Sequence, residues 1–101
     1  MIKNFRTFNQ AVEFYHLATA LKIRGPLKNQ LERAAASIPL NLAEGSGKST
    51  APDKRRFYQI AFGSARECQS VLILLRLEGT QSWTTLDALA ASLFCLIKAT
   101  A

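Results

Sequence analysis

Four stretches of apolar residues recurring at spacings of three and four, parted by three short links rich in Gly, Pro, Ser and Thr, constrain this chain most. Such spacing lines apolar side chains along one stripe of an α-helix. The first stretch runs from about Thr7 to Arg24, with Phe5, Phe8, Val12, Tyr15, Ala18 and Leu21 on the stripe. Thr7 and Gln10 have the spacing of a capping box, and Gly25-Pro26 ends the helix. The second runs from Pro26 to about Glu44 through Leu27, Leu31, Ala34, Ala35, Ile38 and Leu42, with a bend expected at Pro39. Gly45-Ser46-Gly47 closes it. The third, from about Ala51 to Glu78, has Thr50 as its cap, Pro52 in its first turn and Asp53 at the positive end of its dipole. The fourth begins near Thr84, where Asp87 completes a second capping pair, and Trp83 is expected to plug the bundle end just before it. Short links force successive helices antiparallel. The expected fold is therefore all-α, an up-down-up-down antiparallel four-helix bundle, and 101 residues suit a single domain over 1–101.

The third helix carries two apolar stripes. One runs through Phe57, Ile60, Ala61, Ser64, Cys68, Val71, Leu72 and Leu75, the other through Tyr58, Phe62, Ala65, Ile73, Leu74 and Leu77. A helix apolar on every side must be covered on every side. A lone chain of this size cannot do that, so Tyr58, Phe62, Ile73, Leu74 and Leu77 are predicted to meet other copies in a homo-oligomer.

Thirteen Lys and Arg against seven Asp and Glu give a net charge of +6. That excess draws polyanions toward the surface. The cations gather in two regions, Lys22, Arg24, Lys28 and Arg33 about the first link, and Lys48, Lys54, Arg55 and Arg56 about the second. The second group is the predicted site of contact with RNA or DNA phosphates, a mode that is sensitive to salt and indifferent to sequence. No base-reading motif accompanies it. Val71 to Leu77, the densest apolar run, is broken by Arg76 and falls far short of the ~20 residues of a membrane span. The opening residues lack a signal-peptide pattern, which predicts a cytoplasmic protein with no membrane role.

The residues offer no catalytic centre. Gly45-Ser46-Gly47-Lys48-Ser49-Thr50 resembles the end of a phosphate-binding loop, but Leu42 stands where the motif needs its first Gly, and a helix precedes it instead of a strand. His16 has no Ser, Cys or carboxylate arranged around it. Cys68 and Cys95, far apart on apolar faces, read as core residues, and neither a metal site nor a cofactor is expected. Ser37, Asn41 and Glu44 share one helical face beside Pro39 and are predicted to form a polar clasp, with Glu44 reaching a base such as Arg66.

The segment from Gln30 to Gly45, with its Ser-Ile-Pro-Leu-Asn-Leu-Ala-Glu-Gly block, resembles the hallmark of the 23S rRNA-intervening-sequence family of four-helix-bundle proteins. Phe57, Ile60-Ala61, Gly63-Ser64-Ala65 and Glu67 are similar to the family's next hallmark. The resemblance implies a left-handed bundle that assembles as a ring, a homopentamer, with no enzymatic activity. Members are encoded in sequences interrupting bacterial 23S rRNA genes. A similar fold serves as the accessory variability determinant of diversity-generating retroelements, a basic pentamer working beside a reverse transcriptase. The link Ile23-Arg24-Gly25-Pro26 is shorter than usual in that family, and the fourth helix ends early. The expected function is a non-enzymatic, oligomeric basic accessory protein that binds nucleic acid through phosphates. The alternative is a protein–protein scaffold with no nucleic-acid role.

Overall fold

Gly25 turns the chain with φ +89°, a conformation that favours glycine, and Pro26 opens the next helix where its missing N–H costs nothing. Such links divide the computed structural model, which describes Ile2 and residues 5–101, into α1 (Arg6–Ala20), α2 (Pro26–Ser46), α3 (Ala51–Leu74) and α4 (Gln81–Ala99). Each helix packs on its neighbours in sequence, and α1 closes the square against α4. The result is the expected all-α four-helix bundle, 40 × 21 × 21 Å.

Small and large residues are buried together in the core: Ala61, Ala65 and Cys68 on α3, Ala35 on α2, and Leu86, Leu89 and Leu93 of α4 are all fully buried. Each such leucine contributes about 1.5–3 kcal/mol over its exposed state. On α1 the buried residues are Thr7, Ala11, Phe14 and Ala18. Phe14 therefore holds the centre, while Phe5, Phe8 and Tyr15 flank it, a rotation of the stripe read from the sequence.

Four helix ends differ from expectation. Phe5 occupies the N-cap of α1 without a side-chain cap, Thr7 is buried inside the helix, and Gln10 Oε1 is buried with no hydrogen-bond partner, so the capping box does not form. The same helix stops at Ala20, leaving Lys22 and Arg24 beyond its last turn. Thr80, not Thr84, caps α4 by accepting from the Trp83 N–H at 3.3 Å, and Trp83 lies half-buried within the first turn. Most consequential is the end of α3. Leu77 N–H donates to Leu72 C=O at 2.9 Å and Arg76 N–H to Ile73 C=O at 3.0 Å, with Arg76 at φ +58°. This is a Schellman ending with Arg at the left-handed position. It stops the helix at Leu74 and turns Leu75 and Leu77 back onto the core.

The apolar girdle inferred for Val71 to Leu75 is thus partly resolved within one chain. Val71 and Leu72 are buried, whereas Ile73 and Leu74 stay 48% and 68% exposed. Thr50 caps α3 as expected, accepting from the Asp53 N–H at 3.3 Å. Among the described residues no helix is long and apolar enough to cross a membrane.

Candidate nucleic-acid interface

The turn between α2 and α3 brings Lys48, Lys54, Arg55 and Arg56 to one end of the bundle. It is held shut by a close helix approach. A Cβ on Gly45 would stand 2.8 Å from Tyr58 Cε1 and 3.0 Å from Phe57 Cβ, so glycine alone lets the two helices meet there. Behind this contact Tyr58 is only 4% exposed, with its ring edge-on to Phe5 at 6.3 Å, and burial pushes its phenol pKa up. Tyr58 therefore belongs to the chain's own core, not to the outer face expected of an intersubunit residue.

Each of the four cations has an internal engagement. Lys54 Nζ donates to Ser46 C=O at 3.1 Å, and Arg55 Nη1 donates to Thr100 C=O at 2.9 Å. These groups sit on the negative ends of α2 and α4, where a cation is favoured. Lys48 pairs with Glu44 at 3.4 Å and lies 5.2 Å from the Phe57 ring centre. Arg56 lies 4.9 Å from the same centre and has no carboxylate partner among the described residues. An ammonium has three donors and a guanidinium five, so Lys54 and Arg55 keep donors to spare.

The polar clasp forms without Glu44. Asn41 Nδ2 donates to Ser37 C=O at 2.8 Å and to Ser37 Oγ at 2.9 Å, while Ser64 Oγ donates to Ser37 Oγ at 2.8 Å. It ties α2 to α3, and α2 continues through Pro39 as one helix. Glu44 turns to Lys48, and Arg66 instead donates to Gln69 Oε1 at 3.1 Å. Beside the clasp lies a polar groove of about 560 Å³ in which Gln30 donates to Glu67 Oε2 at 3.4 Å.

The opposite flank of α3 was harder to foresee. Phe62 and Phe94 stand 6.3 Å apart across α3 and α4, with Arg66 5.9 Å from the first ring and Lys98 5.6 Å from the second. Phe94 and Lys98 fall outside the leucine stripe of α4, and their spacing of four was the one signal that pairs them. Cys68 is buried and its thiol is pushed up to about 12 by burial and by the Glu67 charge. Cys95 is exposed, not the core residue expected. No group of His, Cys, Asp and Glu able to hold a metal occurs among the described residues.

A family model described as 23S rRNA-intervening sequence protein matches residues 5–99, which takes in all four helices. The chain belongs to this family. The two segments that resemble the family's hallmarks lie inside the match, and the clasp draws on both: Ser37 and Asn41 come from the first, Ser64 from the second. Gly45 likewise ends the first at the point where Tyr58 presses closest. Ser37, Asn41, Gly45 and Ser64 of this 23S rRNA-intervening-sequence member thus join α2 to α3. No curated protein matches the chain.

Proposed function

We propose that this chain is a non-enzymatic accessory protein that self-associates and holds RNA or DNA through phosphate contacts. The observation that carries the reading is the concentration of Lys48, Lys54, Arg55 and Arg56 at one end of the bundle, with Glu44 and Asp53 the acids nearest in sequence. Arg56 is the strongest contact residue, because it alone of the four is exposed and, among the described residues, has neither a carboxylate nor a carbonyl partner, and the spare donors of Lys54 and Arg55 stand beside it. Exposed Ile73 and Leu74, with Phe62 at the flank, support self-association, and a ring of five would repeat the basic end around its axis. Repetition turns weak phosphate contacts into useful avidity. The family's link by name to 23S rRNA agrees with a nucleic-acid partner.

The test is anisotropy of labelled RNA and DNA duplexes over a salt series, beside light scattering of the free protein. Affinity should fall with salt at a slope of about −0.9 per phosphate contacted on DNA, and Arg56→Gln should reduce that slope by about 1. Absence of binding at low salt, or binding indifferent to salt, rejects the reading. A second reading, a scaffold for another protein, rests on Leu40 and Ile60, 68% and 46% exposed beside the clasp. It gains if Leu40→Ser abolishes recovery of one defined protein partner from the native host while nucleic acid is never bound.

A further inference from the structure

The groove between α3 and α4 runs from Phe62 and Phe94 at one end to Ile73 and Trp83 at the other. Two adjoining hollows of about 360 and 290 Å³ share Arg66, Gln69 and Asp87 as their middle. Phe94 lies eleven positions after Trp83 on α4, so the trough is about 16 Å long at the rise of an α-helix. Phe94 is 53% exposed, an aromatic ring with most of its surface in water. Arg66 and Lys98 lie near the two rings, and neither has a carboxylate partner among the described residues. The lining is therefore aromatic towards its ends and cationic at the rim, with Asp87 between as a hydrogen-bonding group and the buried Gln69 holding Arg66 in place.

We propose that this groove binds unpaired bases of single-stranded nucleic acid, which stack on Phe94 while Arg66 and Lys98 hold the flanking phosphates. This rests on the nucleic-acid reading above and adds a second site along the α3–α4 flank, which assigns Phe62 and Ile73 to that ligand and leaves exposed Leu74 for contact between copies. Three features favour such a ligand over a protein helix. A helix wants a continuous apolar floor, whereas Arg66, Gln69 and Asp87 interrupt this one. Two cations against one acid suit an anionic ligand. Aromatic rings interleaved with cations are what sequence-tolerant single-strand binding uses, since every base has a π face. A duplex, whose bases are stacked inside, cannot present one to Phe94.

Phe94→Leu tests this without disturbing the fold, because the side chain is largely outside the core and stays apolar. Labelled oligothymidine and a DNA duplex of equal length are titrated at one low salt concentration against wild type, Phe94→Leu and Arg66→Gln. Wild type should prefer the single strand. Loss of one stacked base should weaken oligothymidine binding roughly five- to a hundredfold, with duplex binding unchanged. Arg66→Gln should lower the single-strand salt slope by about 0.7. Trp83, the sole tryptophan, should change its emission on adding unlabelled oligothymidine. Equal affinity of wild type and Phe94→Leu for oligothymidine overturns the proposal, and if duplex binding persists the phosphate reading survives alone. Absence of binding to both nucleic acids overturns both. A change in assembly mass on Phe94→Leu, with single-strand affinity intact, assigns the groove to contact between copies and overturns the proposal as well.

Discussion

Gly45 and Gly63 are both helical glycines, and the same substitution should move stability in opposite directions. Gly→Ala within a helix ordinarily gains about 0.5–1 kcal/mol, because glycine loses more backbone freedom on folding. At Gly63 nothing lies within 4 Å of the added methyl, so Gly63→Ala should show that gain. At Gly45 the new Cβ would meet Tyr58 Cε1 at 2.8 Å and Tyr58 Cδ1 at 3.1 Å, and the Phe57 Cβ, fixed by its backbone, at 3.0 Å. Tyr58 is buried and has nowhere to swing. Overpacking of this kind costs about 1–3 kcal/mol, which exceeds the entropic gain and leaves a net loss of roughly 1 kcal/mol. For a chain of this size the two variants should then melt on the order of 10 °C apart. Thermal unfolding followed by circular dichroism measures this, at one protein concentration because association shifts the midpoint. A Gly45→Ala protein melting at or above wild type would refute the claim that this glycine exists for helix approach.

Other expectations follow from single residues. Arg76 pays a left-handed backbone penalty at the α3 ending, so Arg76→Gly should stabilise the fold by about 1 kcal/mol in urea unfolding. Ser37→Ala removes the acceptor shared by Asn41 and Ser64, and should cost about 1 kcal/mol with no change in helix content. A thiol reagent at neutral pH should modify Cys95 quickly and Cys68 only on unfolding. The Cys68 thiol is raised in the folded state from 9.0 to about 12, so the folded protein holds that proton more tightly. Its stabilising contribution is full below pH 9.0 and fades as pH climbs toward about 12. Cys68→Ala should flatten that alkaline decline, and a pH series of denaturant midpoints reads it.

The periodicity of the chain was enough to give four helices and their order, because Gly25-Pro26 and the Gly45 to Thr50 link are strong local punctuation. Ends were read less well wherever the decisive contact is tertiary or uses an unusual residue. Arg76 at a position that ordinarily favours glycine gives no textual sign that α3 stops, which is why Leu77 looked like part of an outward intersubunit stripe instead of a folded-back cover. Thr7 and Gln10 matched a capping box in spacing, yet the helix started one residue earlier and the core took Thr7. At the basic end the residues were legible, but their engagement was not: Arg55 meets Thr100, forty-five residues away. The Phe94 and Lys98 pair was hidden because both fall off the buried stripe.

The two bonds from Lys54 and Arg55 to helix-terminal carbonyls carry a consequence for any ligand that arrives there. Those heads are already serving as the plugs of α2 and α4, so a phosphate drawing them fully outward would unfasten two helix ends. Occupancy at that corner would be an exchange of partners, felt as fraying at Ser46 and Thr100, and amide-hydrogen protection at those tips would register it before any change reached the leucines inside.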